Sequence, residues 1–251
     1  MEDIKALLDE EAARINSPAF IGEDPVQFPR MFEDVRDVEI AALLCSTIAW
    51  GNRKTICRDC QRMLSLMEMR PYDYMMDRGY EELAPEGNVH RTFFNRNLQH
   101  YLRGLRRVYE RWGSLQGFAS AIGASEDEFP AWRLADGLGR ELAEANGGVA
   151  DARCLPGRID TTALKRLNMA LRWLVRDDGI VDLGVWDCIK PSQLYVPLDV
   201  HVAETSRSLG LLARKSNDRK AVAELTGTLR QMRPEDPVYY DYALFGIGMR
   251  L

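Results

Sequence analysis

Along most of the chain apolar residues recur at three- and four-residue intervals. Nowhere do four or more consecutive positions alternate apolar with polar between turn signals. The first pattern is that of helices burying one face, and the lack of the second argues against a sheet of ordinary strands. The expected fold is all-α, with about nine to eleven helices. An acidic helix opens the chain and stops near Asn16-Ser17-Pro18, because proline disfavours helical geometry in the residue before it. Gly22, Pro25 and Pro29 keep the next stretch irregular. Asp37 is placed to cap Val38 to Trp50, so apolar that it must be buried, and Gly51-Asn52 breaks that helix before another begins at Arg53. Further helices are expected at Tyr72 to Arg78, Phe94 to Gly113, Leu115 to Ile122 and Pro130 to Asn146.

The most informative pattern follows. After the turn CLPGRIDTTALK, with Thr161 or Thr162 as cap, Leu164, Leu167, Leu171 and Leu174 repeat at helical spacing. Lys165, Asn168, Arg172 and Arg176 line the adjoining stripe, so one face is core and the next is cationic. The stretch after Arg176 is irregular, with one helical turn near Pro191 to Leu194. Pro197 then holds the chain extended and Asp199 stands where a helix N-cap belongs, ahead of an apolar-periodic run to Leu212. Helices at Arg219 to Met232 and Pro237 to Gly246 complete the chain.

Composition changes the picture only in places. The 251 residues, 46% hydrophobic, suffice for one large domain or two lobes. No run approaches the roughly 18 apolar residues that span a bilayer, and the first residues carry acids where a targeting peptide needs bases. A cytoplasmic protein without a membrane partner is expected. Five cysteines form no framework, and Cys57 and Cys60 lie on a helix with no second pair, so they read as thiols rather than a zinc or redox site. The three histidines are scattered and no phosphate-loop or dinucleotide pattern occurs, so no metal or cofactor is demanded. A net charge of −5 argues mildly against a protein that wraps nucleic acid. Distribution matters more: between Arg91 and Arg111 six arginines stand with a single acid, Glu110, and Arg103, Arg106 and Arg107 form the densest part. Asn52 to Lys54 is a second basic spot.

Taken alone, Lys165 is a solvated surface group and Asp199 a helix cap. The second reading does not exclude chemistry. A carboxylate fixed at an N-cap is kept ionised by the helix dipole, as stabilising a developing cation requires.

The order of these segments resembles the helix-hairpin-helix superfamily of DNA glycosylases, with the closest likeness to the archaeal 8-oxoguanine DNA glycosylases. The residues that carry it are Lys165 opening a helix, Pro197-Leu198-Asp199, and the run Tyr240-Asp241-Tyr242-Ala243-Leu244-Phe245. The segments IAWGNRKTI (Ile48 to Ile56), KRLNMALRWLVR and PLDVHV are also similar to an uncharacterised bacterial family with the same ordering over nearly the whole chain. Two features depart from the glycosylase pattern. Leu155-Pro156-Gly157-Arg158-Ile159 lacks the second hairpin glycine, and the four-cysteine iron–sulfur motif is missing.

The resemblance implies two helical lobes facing a cleft, one of residues 37–176 with the hairpin, the other of 1–36 plus 177–251. It implies base excision from damaged DNA, an oxidised purine in the closest relatives, with Lys165 as Schiff-base nucleophile and Asp199 stabilising the cationic sugar. Around the substrate it places Asp241, Trp50, Asn52, Arg53 and His201. Lys54, Arg103, Arg106, Arg107 and Arg172 would contact DNA phosphates. For Asp241 a capping or salt-bridging role stays equally open, and for Trp50 a place in the core. A non-catalytic nucleic-acid binder of the same fold, and an interaction module unrelated to nucleic acid, remain the other classes. Oligomeric state is not legible.

Overall fold

The computed structural model describes residues 2–251. Helix takes up 62% of the chain and strand 2%, so the all-α reading holds. The helices are α1 (Glu2–Ile15), α2 (Pro18–Ile21), α3 (Val35–Thr47), α4 (Arg53–Leu66), α5 (Pro71–Met76), α6 (Asn95–Trp112), α7 (Leu115–Ala121), α8 (Pro130–Ala145), α9 (Lys165–Val175), α10 (Val200–Ser208), α11 (Arg219–Met232) and α12 (Tyr240–Met249). The exception is a small antiparallel pair, β1 (Asn88–His90) and β2 (Phe93–Phe94), too short to show an alternating pattern. Among the described residues no helix is long and apolar enough to cross a membrane.

Two compact units divide the chain. The first gathers residues 2–22, 128–132 and 158–251; the second gathers 23–127 and 133–157. This grouping differs from the lobes read from sequence, since 158–176 joins the C-terminal residues and 23–36 does not. Ion pairs run within the same grouping: α9 carries Arg172 and Arg176, whose carboxylate partners Asp178, Asp182, Asp236 and Asp241 all follow it in the chain.

In the first unit α12 is the central element. Its sequence YDYALFGIGM is apolar nearly all round, and it packs against both α1 and α10. Close approach depends on glycine: a Cβ at Gly246 would lie 2.6 Å from Ile15 Cγ1, and one at Gly248 2.8 Å from Thr205 Oγ1. The irregular stretch after α9 folds back on it. Leu183 N donates to Trp173 O at 2.8 Å and Trp186 N to Leu174 O at 2.9 Å, so carbonyls in the last turn of α9 find partners without another helix.

In the second unit α3 is buried along nearly its whole length. It starts earlier than Asp37 suggested: Asp34 is the cap, its carboxylate accepting from Arg36 N at 2.9 Å. Asp37 instead accepts from Tyr72 N at 2.7 Å, at the start of α5. Glu39, wholly buried, accepts from Tyr109 Oη at 2.7 Å and from Leu115 N and Gln116 N at 2.9 Å, tying α3 to α6 and to the first-turn amides of α7.

Candidate functional site

The first turn of α9 is set by a strained residue. Leu164, buried, has φ +47° in the left-handed region that side chains with a Cβ rarely adopt. The side chain of Asn168 donates to Ala163 O at 3.1 Å and Leu164 O at 3.2 Å, which holds that turn. Thr161 and Thr162 do not cap α9. Their hydroxyls donate to Arg158 O, closing a 3-10 turn over Ile159–Thr161. Lys165 is thus the first residue of the helix, on a backbone fixed from both sides.

Asp199 caps α10 with one carboxylate oxygen, Oδ1, which accepts from Val202 N at 3.0 Å. The other oxygen, Oδ2, stands 3.9 Å from Lys165 Nζ. That separation lies beyond a hydrogen bond but well within strong Coulomb range, and each side chain keeps about a quarter of its surface open, 27% and 24%. The two residues singled out from sequence therefore meet, and both belong to the first unit.

Behind them the cationic stripe of α9 turns inward. Arg172 is 4% exposed and Asp241 5% exposed. Arg172 Nη1 bonds Asp241 Oδ2, its Nε donates to Asp182 Oδ1 at 3.3 Å, and its guanidinium lies 4.4 Å over the Tyr242 ring. One turn on, Arg176 Nη1 bonds Asp182 and donates to Asp178 at 2.9 Å, while its Nε and Nη2 form a fork on Asp236. Tyr242 Oη donates to Asp182 Oδ2 at 2.8 Å. Arg172, expected at a DNA phosphate, is instead buried, with Nε and Nη1 on buried carboxylates. Asp241 is likewise in a buried ion pair rather than presented on a surface.

Burial pushes the Asp241 carboxyl up to about 6; Arg172 and Lys165 pull it down, and Asp199 adds to the rise. Asp182 is raised by burial too, against the pull of Arg172 and Arg176. His201, the second residue of α10, is exposed two positions after Asp199. Asp178, Asp182 and Asp236 were not among the residues read from sequence, and Tyr242 entered only within the run that carries the resemblance. No local spacing links a carboxylate in an irregular stretch to arginines on a helix face.

The family described as "Protein of unknown function (DUF2400)" matches residues 24–250. The chain belongs to the DUF2400 family. No curated protein and no solved structure matches it. The DUF2400 span takes in Lys165, Asp199, the arginine network and the basic segments of the second unit.

In that second unit the segment around Gly51 is tightly built. Half-buried Trp50 sets its ring edge-on to His90, with centroids 4.7 Å apart. His90, wholly buried, spans Asp59 Oδ2 at 2.7 Å and Trp50 O at 2.9 Å. Asn52 caps α4, its Oδ1 accepting from Thr55 N at 3.1 Å, and Arg53 pairs with Asp24 at 3.5 Å. Lys54 is exposed, as are Arg58 and Arg62 along the same face of α4 and Arg91, whose guanidinium lies against Gly51. Arg58 and Arg62 hold the buried Asp59 carboxylate at 3.0 Å and 3.6 Å. Burial opposes the ionisation of Asp59, but bonds from His90 and Arg58 bring it below the usual carboxylate range.

The α6 arginines, the densest basic cluster in the sequence, are mostly neutralised. Arg103 pairs with Glu81, Arg106 with Glu110 at 2.7 Å, and Arg107 with Glu141 at 2.7 Å and with Glu144. Arg111 joins Glu141 at 3.0 Å. A linear count of bases missed this because, Glu110 apart, the matching acids lie some 20 to 40 positions away, on other elements.

Proposed function

We propose that this protein is a DNA-repair enzyme, a glycosylase with lyase activity that removes a damaged base through a Schiff base on Lys165. The observation that carries the reading is the 3.9 Å approach of Lys165 Nζ to Asp199 Oδ2, with Asp199 Oδ1 held by the amide of Val202. Such a pair provides a nucleophile beside an anion that cannot swing away. In the reaction the Lys165 nitrogen bonds to the sugar C1′ as the C1′–N bond to the base breaks and its electron pair leaves with the base. The Asp199 carboxylate stabilises the positive charge that develops on the sugar. The nitrogen then loses a proton, the C1′–O4′ bond breaks as O4′ takes up a proton, and the resulting iminium loses a C2′ proton as the C3′–O bond breaks and the 3′ phosphate leaves, which nicks the strand.

For DNA contact the α4 face of Lys54, Arg58 and Arg62, with Arg91, is favoured over α6. Lys54 and Arg91 there are solvent-facing, and Arg58 and Arg62, though paired with Asp59, stay exposed, while the α6 arginines are engaged by glutamates. The altered hairpin supports one second reading, a nucleic-acid binder without chemistry. The segment that should approach a phosphate by its backbone continues into the 3-10 turn of Ile159–Thr161 in place of a Gly-x-Gly loop.

Borohydride trapping on a panel of lesion-bearing duplexes, including an oxidised purine, separates the readings. Wild type should cross-link to at least one duplex, Lys165→Ala to none, and Asp199→Asn should slow base release at least tenfold with affinity nearly intact. Protein that binds these duplexes in a salt-dependent way yet neither releases a base nor cross-links would remove the catalytic reading and leave the binder.

A further inference from the structure

We propose that Trp132 is a positioning residue for the proposed reaction: one buried indole joins the segment that leads into Lys165 to the segment that leads into Asp199, and so sets their separation. The inference rests on the reading of that pair as the reactive one. Trp132, near the start of α8, is 3% exposed. Its Nε1 donates at 3.1 Å to Thr162 O, a little ahead of Lys165 in the chain. Its ring stands edge-on to Tyr195, a little ahead of Asp199, with centroids 5.8 Å apart and planes at 82°. Trp132, Thr162, Lys165, Tyr195 and Asp199 all belong to the first unit.

On the lysine side this hydrogen bond completes a clamp. Ala163 O and Leu164 O accept from the Asn168 side chain, so three successive carbonyls before Lys165 each hold a side-chain donor. Asn168 belongs to the helix that Lys165 opens; Trp132 is the donor from outside it. On the aspartate side residues 194–198 are all buried. Thr226 Oγ1 accepts from Val196 N at 3.2 Å, Arg230 Nη2 donates to Leu194 O at 3.3 Å, and Pro197 fixes its own φ, so a push on Tyr195 is carried to Asp199. Phe129 backs the indole. It stacks on Tyr195 with centroids 4.9 Å apart and meets Trp132 edge-on at 5.6 Å. The Arg219 guanidinium lies 4.0 Å over Phe129 while its Nη1 reaches Asp160 at 3.1 Å, in the 3-10 turn that precedes α9.

Lys165 and Asp199 stand at the starts of two different helices, so nothing local to either fixes the distance between them. A side chain that bears on both lead-in segments does. Moving the amine and the carboxylate apart by a fraction of an ångström slows a step that needs both at one sugar carbon, while DNA contacts made elsewhere are unaffected. Trp132 thus acts through Lys165 and Asp199.

Carbodiimide coupling tests the geometry without DNA. The reagent activates the Asp199 carboxyl, the Lys165 amine displaces it as a urea, and a zero-length amide forms that peptide mass spectrometry counts. The Lys5–Asp9 pair, at 2.6 Å within α1, is the internal reference. Trp132→Phe keeps a ring against Tyr195 and removes the N–H; Tyr195→Leu removes the ring on the other side. In both, Lys165–Asp199 coupling relative to the reference should fall about threefold or more. Trp173→Phe is the control for a general loosening, because the buried Trp173 indole finds no hydrogen-bond partner among the described residues; it should couple like wild type. Coupling at the wild-type level in either folded variant would overturn the inference, as would an equal fall in Trp173→Phe or a wild type that does not couple. On a duplex that cross-links to wild type under borohydride, the trapping rate at saturating DNA should fall about tenfold in Trp132→Phe with Kd unchanged. An undiminished rate there would overturn the positioning role and leave the repair reading standing. Reduced coupling in the variants, with no duplex cross-linking to wild type, would uphold the positioning while the repair reading falls.

Discussion

Asp199 uses its two oxygens for two purposes, and substitutions can separate them. Asparagine keeps an oxygen for Val202 N but loses the charge toward Lys165; alanine loses both. Asp199→Asn should therefore melt within a degree or two of wild type, whereas Asp199→Ala should lose about 1 kcal/mol of stability by urea titration. Asp241 makes a different prediction. Its carboxyl is raised from 3.8 to about 6, so the folded state binds a proton more tightly than the unfolded chain does. The stabilisation from that proton is complete below about pH 4 and is lost as pH rises through 6. A shift of about two units corresponds to about 3 kcal/mol at most. Asp59, held below the usual range, contributes in the opposite sense and loses its stabilisation as pH falls. Denaturation curves at pH 4, 5, 6 and 7 should show a smaller fall in stability with rising pH in Asp241→Asn than in wild type; equal slopes would mean that Asp241 is not the group titrating. At this scale Lys165 and Asp199 were legible because each opens or caps a helix, a local event. The pairing of Arg172 with Asp241 was not, because it joins residues 69 positions apart and reverses the exposure that a cationic stripe suggests.

Among the elements, α4 and α6 show how charge read in one dimension differs from charge in three. The α6 arginines are the more numerous, but their ion pairs cross to Glu81, Glu141 and Glu144, while Lys54 and Arg91 present cations to solvent. Reversing Lys54 and Arg91 to glutamate should lower affinity for a DNA duplex at least tenfold at low salt and flatten its salt dependence. Reversing Arg103 and Arg107 should mainly lower the melting temperature, by setting glutamates against Glu81 and Glu141. The opposite ordering in a fluorescence anisotropy titration would return the interface to α6. Helix extents were mostly readable from period and breakers: α6, α7 and α11 fall within a residue of expectation. The missed starts have specific causes. Asp34 took the cap of α3 from Asp37, which the start of α5 recruited, and Leu164 opened α9 in a left-handed conformation that no propensity favours.

For the molecule as a whole, the buried chain of Asp241, Arg172, Asp182, Arg176 and Asp236 holds the irregular residues after α9, the entry to α12 and α9 itself together. Removing one member leaves charges without partners. Arg176→Met should cost on the order of 3–5 kcal/mol in denaturant unfolding, far more than an exposed arginine such as Arg140. A cost under about 1 kcal/mol would show that these carboxylates are protonated or solvated without it. The amino-acid order by itself determined the helical class, most helix limits and the two residues at the candidate site, because period, breakers and caps act within a few residues. Tertiary structure alone decided the grouping of α9 with the C-terminal residues, the inward turn of Arg172 and Asp241, and the neutralisation of α6. Those outcomes depend on which charges meet after burial, and a Coulomb interaction in a poorly solvated interior is set by distance in space, which the order of residues does not state.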